Sequence, residues 1–420
     1  DENGVPFTGG TYFPPKEMQG RPSFTQVLNN VSKVYKENRE KIINQVNKTK
    51  EILGNNIFYS IKSNSNQAIL KLMNSLDIGA DVVSVGELKR ALEAGFDPNK
   101  IIFEGVGKSD QDLLYAIHKN IRLINTESLE EIKLLDNLAN EKNKIVNIGV
   151  RLNPDVDGET LSKISTGKKT DKFGIEFENL DKIIKIVKSC KNLNLIGISC
   201  HIGSQISKIE AYKNTFSQMK MAANKFIESG INIKHVDLGG GFHVKYEESD
   251  PDFNIEMVKE ELDNCFTQTN YELSFEPGRY LIAEAGVTVT SILTIKNNGG
   301  INYLIVDAGM NTLIRPAMYG AHHEISAINV NSEEFMDYAI AGPICESSDV
   351  FLKNIKLAKQ KIGNLLVIKN TGAYGKVMSS NYNSRPLPSE ILVHNDNYAI
   401  IYSPEKIEKI IEADIIPSWL

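Results

Sequence analysis

Lys62 follows the short apolar run Ile57-Phe58-Tyr59-Ser60-Ile61 and precedes Ser63-Asn64. A run this rich in aromatic and β-branched residues predicts a buried strand, with the lysine as its last residue at the rim of a sheet. Desolvation there lowers a lysine's pKa and turns its amine into a nucleophile able to form an imine with an aldehyde. A lone lysine at a strand end usually just extends its amine to water. Three later stretches change that reading: Cys200-His201-Ile202-Gly203-Ser204-Gln205, Asp237-Leu238-Gly239-Gly240-Gly241-Phe242 and Glu276-Pro277-Gly278-Arg279, each closing an apolar run. Consecutive glycines free backbone N–H groups to approach an anion, and Ser204 and Arg279 add donors. A reactive lysine, an anion cradle and the carboxylate of Glu276 are the parts that hold pyridoxal 5'-phosphate: an imine, a phosphate grip and a group opposite the pyridine nitrogen.

These stretches belong to a regular alternation. Apolar runs at 57–61, 81–84, 101–103, 121–124, 146–152, 195–200, 234–238 and 271–275 alternate with helical periods such as Gly86–Glu93, Gln111–His118, Leu129–Leu138, Leu180–Val187 and Ile209–Glu228. Eight such strands predict an α/β fold, a closed (β/α)8 TIM-like barrel with chemistry at the carboxyl strand ends and phosphate in the loops after strands seven and eight. An open doubly wound sheet is the alternative, but no G-x-G-x-x-G follows the first strand. After Gly286 the rhythm changes. Short runs at 287–295, 303–306, 338–340, 365–368, 390–393 and 399–402, separated by Gly, Asn and Pro, predict an antiparallel β domain. The expected division is an arm with a long helix (1–50), a cofactor-binding barrel (51–285) and a C-terminal β domain (286–420).

Composition narrows the partners. The chain is 41% apolar and 24% charged with a net charge of −6, which gives no basis for expecting nucleic acid or an anionic membrane. No apolar run reaches a membrane-spanning length and no signal-peptide pattern opens the sequence. Cys190, Cys200, Cys265 and Cys345 have neither metal-site spacing nor the density of a disulfide framework, so the expectation is a cytoplasmic protein without a metal.

Seven stretches in order carry a family resemblance: Tyr59-Ser60-Ile61-Lys62-Ser63-Asn64, His201 to Gln205, Gly239 to Phe242, Glu276 to Arg279, Arg315-Pro316-Ala317-Met318-Tyr319, Cys345-Glu346-Ser347-Ser348-Asp349 and Gly372-Ala373-Tyr374-Gly375. From about residue 50 to its end the chain resembles the fold-type III pyridoxal phosphate-dependent decarboxylases, which share the alanine-racemase architecture. The resemblance implies Lys62 as the Schiff-base lysine, His201 stacked on the cofactor ring and Glu276 on its pyridine nitrogen. It implies Ser204, Gly240, Gly241, Gly278 and Arg279 at the phosphate with Pro277 in the same turn, Asp81 and Arg151 lining the site, and Tyr374 beside cofactor and substrate. It further implies a homodimer with active sites shared across the interface, in which Cys345 of one subunit returns a proton to the substrate held by the other.

Arg279, Arg315, Tyr319, Glu346 and Tyr374 are the implied substrate residues. An arginine takes a second carboxylate bidentately and a glutamate takes an ammonium, which favours meso-2,6-diaminopimelate, decarboxylated to L-lysine, over ornithine, arginine or carboxynorspermidine. An inactive binding protein of the same fold is the remaining alternative. Pro6-Phe7, Gly9-Gly10-Thr11-Tyr12-Phe13-Pro14 and Gly20-Arg21-Pro22-Ser23-Phe24 resemble the closing part of a bacterial thioredoxin-like domain, without its redox cysteines. Two features depart from the family pattern. The usual opening strand is not recognisable before Gly54, and Leu161 stands where the lid segment Thr160–Gly167 usually carries a histidine.

Overall fold

The computed structural model describes residues 38–158, 166–328, 332–394, 397–404 and 406–420; the thioredoxin-like stretch and Leu161 lie outside them. The chain divides into a barrel unit, Ile43–Lys245 with Pro251–Leu281, and a β unit, Ile282–Leu420 with Tyr246–Asp250 and the described residues up to Ile42. The first described helix, α1 (Asn38–Leu53), buries Ile42, Val46, Thr49 and Leu53, a spacing that lines one helical face.

The barrel strands are β1 (Phe58–Ser60), β2 (Gly79–Val82), β3 (Ile101–Phe103), β4 (Leu123–Thr126), β5 (Val146–Asn153), the short β6 (Ile175–Glu176), β7 (Leu193–Ser199), β8 (His235–Asp237) and β9 (Glu272–Ser274). They run parallel in the order β1-β2-β3-β4-β5-β7-β8-β9, with β6 paired to the end of β5. A parallel bridge from Ile57 to Phe275 and the bond from Phe58 N–H to the Phe275 carbonyl bring the last strand back to the first. Helices begin where a polar side chain can cap them. Asn66 accepts the Ala68 N–H at 2.9 Å, and Ser84, Ser109 and Ser128 cap the next three helices in the same way.

Inside the barrel, alternation along each strand sets layers. Phe58, Ile102 and Leu123 form an apolar floor with Ile196. Two residues further along their strands stand the buried Ser60 and Asn125, and neighbouring strands add Asp81, Asp237 and Ser274. Lys62 is not the last strand residue as expected. The strand ends at Ser60, and Lys62 lies in a 3-10 turn, Ile61–Ser63, which lifts it clear of the buried layers.

The β unit holds a six-stranded sheet of β10 (Thr288–Asn298), β11 (Ile301–Val306), β12 (Ile325–Ala327), β13 (Phe335–Ala341), β14 (Val350–Ala358) and β15 (Leu365–Ile368), and a separate hairpin of β16 (Glu390–His394) and β17 (Asn397–Tyr402). The sheet is mixed, which corrects the expectation of a purely antiparallel domain: β11 and β13 pair in parallel. The connection between them passes through the helix Arg315–Tyr319 and β12, long enough for the chain to return in the same direction. Ile292, Leu304, Val306, Tyr338, Ile340, Phe351, Leu366 and Ile368 form its core.

Candidate active site

The barrel contributes the first group of functional side chains. The Lys62 ammonium lies 3.9 Å from an Asp81 carboxylate oxygen; the lysine side chain is 38% exposed, the aspartate 1%. A reachable amine is thus held beside a fixed, buried counter-charge. Ser60, paired in register with Asp81 across the sheet, donates its hydroxyl to the same oxygen at 2.6 Å.

Arg151, on β5, is buried with its guanidinium 3.2 Å from Glu127 and 3.8 Å from Glu104, and over the Phe173 ring at 4.9 Å. Burial opposes its charge, but the two carboxylates outweigh it and hold the pKa above the ordinary arginine value. Glu104 also accepts the Asn125 amide, and Glu127 accepts the Gly174 N–H at 3.0 Å. Sequence reasoning missed Glu104 and Glu127. They directly follow the ends of β3 and β4 and are buried there.

The glycine turn after β8 is built from buried polar anchors. Asp237 accepts the Gly239 N–H at 2.8 Å with one carboxylate oxygen and the Ser274 hydroxyl with the other. The Gly239 carbonyl accepts the Glu276 N–H at 2.7 Å, and Gly240 donates its N–H to His201 Nδ1 at 3.2 Å. Gly241, at φ +84°, passes so close to the Gly203 carbonyl that a Cβ would overlap it, and one at Gly240 would overlap the Glu276 carbonyl. Phe242 then pins the turn among Phe253, Phe275 and Tyr280, with ring centroids 5.5–6.0 Å away. On the next loop, Arg279 donates through Nε and Nη2 to Ser204 Oγ, each at 3.2 Å. A Cβ on Gly278 would lie 3.0 Å from the Cβ atoms of Ser60 and Ser63, so this loop runs against the turn that carries Lys62.

Three titratable groups are set by these surroundings. Burial lowers the His201 pKa well below its usual value, helped by Lys62 and Arg151, so its imidazole is neutral and its Nδ1 accepts. Burial raises the Glu276 pKa well above the carboxylate range, reinforced by Asp237, Asp81 and Glu104, while Lys62 opposes the rise. Burial likewise pushes the Cys200 thiol up, which makes it an inert packing residue.

The β unit holds the second group. Arg315 and Tyr319 are the ends of one short helix, with Arg315 buried. Cys345 and Glu346 stand exposed on the turn between β13 and β14; Cys345 donates its N–H to Asn383 at 3.0 Å, and Glu346 accepts the Tyr382 hydroxyl at 2.6 Å. Asp349 ties this turn from below, accepting the Met310 N–H at 2.6 Å and the Ile344 N–H at 2.7 Å. Tyr374 takes a left-handed backbone, φ 57°, in the loop after β15.

The barrel group fits pyridoxal phosphate. Glu276 Oε1 is buried with no hydrogen-bond partner among the described residues, a cost of about 1–3 kcal/mol that a protonated ring nitrogen would offset. The glycine turn leaves a cradle that side chains would fill, beside an arginine and a serine. Residues 39–283 match the family model of the pyridoxal-dependent decarboxylase, pyridoxal binding domain. A diaminopimelate decarboxylase of Vibrio cholerae is 39% identical over 84% of this chain and 85% of its own length. The chain belongs to the diaminopimelate decarboxylase family. A solved diaminopimelate decarboxylase of Helicobacter pylori, complexed with L-lysine, superposes with a TM-score of 0.85 at 35% identity, covering 89% of this chain and 94% of that one. The diaminopimelate decarboxylase of Aquifex aeolicus is 35% identical over 86% of both chains. Residues 1–54 match a second model, described as a protein of unknown function, DUF255, and labelled thioredoxin-like. Its overlap with the decarboxylase model falls on α1. Among the described residues no helix is long and apolar enough to cross a membrane.

Proposed function

We propose that the barrel rim around Lys62 binds pyridoxal 5'-phosphate and there decarboxylates meso-2,6-diaminopimelate to L-lysine and carbon dioxide, as members of the diaminopimelate decarboxylase family do. The observation that carries this reading is the buried, unpartnered carboxylate oxygen of Glu276 on the same short loop as Arg279, running against the Lys62 turn. When bound, the cofactor supplies an electron-accepting ring for the bond that breaks. Lys62 holds it through its amine, with Asp81 placing that amine and Arg151 lining the site. The neutral imidazole of His201 lies against the ring, and Glu276 keeps a proton on the ring nitrogen. Ser204, Gly240, Gly241, Gly278 and Arg279 hold the phosphate, Pro277 shapes their turn, and Tyr374 is the remaining cofactor residue of the proposal.

Arg315 takes the substrate's distal carboxylate and Glu346 its distal ammonium, and Arg279, Tyr319 and Tyr374 are the other proposed substrate residues. The carbon–carbon bond to the D-centre carboxylate breaks, carbon dioxide leaves, and Cys345 Sγ–H delivers the proton that takes its place. Cys345 comes from the partner subunit of a homodimer. The exposure of Cys345 and Glu346 in the single chain supports that arrangement. The proposed domains are the cofactor domain over residues 51–285 and the C-terminal domain over 286–420, with 1–50 resembling a thioredoxin-like fragment. The cytoplasm is the proposed compartment, in keeping with four unpaired cysteines.

Mixing separately inactive Lys62→Ala and Cys345→Ala proteins tests the shared site. Random exchange of subunits should restore roughly a quarter of wild-type lysine formation. No recovery after proven exchange would leave each site within one chain.

A further inference from the structure

Arg315 is held by a local assembly that the reaction as described does not use. Arg315, His323 and Tyr246 are all buried. Arg315 Nη1 lies 2.8 Å from His323 Nε2, and His323 Nδ1 lies 2.8 Å from the Lys369 carbonyl oxygen. A carbonyl oxygen only accepts, so Nδ1 carries the imidazole proton and the Nε2 lone pair receives the guanidinium N–H. The guanidinium also lies over the Tyr246 ring, 4.5 Å from its centroid, and the His323 ring meets Tyr246 edge-on at 5.1 Å. The histidine is itself fixed, because Lys369 directly follows β15 and donates its N–H to the Glu324 carbonyl at 2.9 Å. One contact sets the rotation of the guanidinium in its plane and the other sets the plane.

We propose that His323 and Tyr246 are positioning residues for Arg315, and that they set the preference for substrates carrying a second carboxylate. This rests on the reading of Arg315 as the partner of that carboxylate. A bidentate pair needs the arginine fork in one orientation, and here the fold removes the side-chain freedom that substrate binding would otherwise have to remove.

The test uses pyridoxal-phosphate-loaded enzyme and three ligands: meso-diaminopimelate as substrate, L-lysine, which keeps the distal carboxylate, and 1,5-diaminopentane, which carries both amines and no carboxylate. In His323→Ala, the KM for diaminopimelate and the calorimetric Kd of L-lysine should each rise about tenfold. The kcat should stay within about twofold, and the inhibition constant of 1,5-diaminopentane should not move. His323→Gln, with an amide oxygen as acceptor, should recover part of the loss. Tyr246→Leu should reproduce it and Tyr246→Phe restore it, which answers the question even where His323→Ala fails to fold. A parallel rise for 1,5-diaminopentane, or a loss confined to kcat, would overturn the positioning role. Arg315→Ala separates the two layers. If it weakens diaminopimelate while the His323 and Tyr246 variants do not, positioning is wrong and the reading of Arg315 stands. If it leaves the KM unchanged, that reading fails.

Discussion

In the barrel unit Asp81, Arg151, Glu276 and Arg279 are buried, and each is tied to its neighbouring strand ends; in the β unit Cys345 and Glu346 stand exposed on a turn. Barrel closure brings every strand end to one rim, so the charges there are placed by the backbone. The β-unit turn is held at its base by Asp349, but the two side chains at its tip have solvent on one side. One region is set by the barrel alone. The other is what the proposed second subunit would complete.

Four variants break or sharpen that contrast. Lys62→Ala should cost the most, on the order of 10⁴-fold in kcat, measured as lysine formed from diaminopimelate. A variant at the wild-type rate would place the chemistry elsewhere. Glu276→Gln should retain cofactor absorbance yet lose roughly 10²- to 10³-fold in kcat, because the neutral amide no longer favours a protonated ring nitrogen. Asp349→Ala strikes the β unit. Two backbone N–H groups lose their acceptor, so stability should fall by about 2 kcal/mol on chemical denaturation, with cofactor affinity unchanged. A fall in cofactor affinity instead would show that the two regions are not independent.

The smallest effect is one of pH. Burial raises the Asp237 pKa from 3.8 to about 7. The folded chain therefore binds a proton that the unfolded chain releases between those values, and this contribution to stability declines as pH rises across the window. Asp237→Asn removes the titration. The melting temperature of the variant relative to wild type should climb from about pH 4 to about pH 7 and then level off, whereas a constant difference would mean Asp237 is not perturbed.

Most of the barrel was legible because its strands and helices each carry their own period: Ile209–Glu228 lies where the helical pattern places it, and every barrel strand but the two-residue β6 overlaps its apolar run. The helix Ile255–Phe266 went unread, although Asn254 caps it and Ile255, Val258, Leu262 and Phe266 keep helical spacing. β14 was hidden for a physical reason. Lys353 and Lys356 interrupt its apolar run, and register shifts against β13 break the alternation that marks a strand. The motif residues of the site were visible as strand ends. Glu104 and Glu127 were not, because a buried acid beside an arginine is a property of closure rather than of either strand. The grip of His323 and Tyr246 on Arg315 joins separate elements and has no local signature at all.

The central claim is that Lys62 is the amine that holds the cofactor. Borohydride reduction of the loaded enzyme fixes the cofactor to that amine permanently, and peptide mass spectrometry then locates it. The label should appear on the peptide containing Tyr59-Ser60-Ile61-Lys62 and vanish in Lys62→Ala. Stoichiometric label on any other lysine would contradict the account.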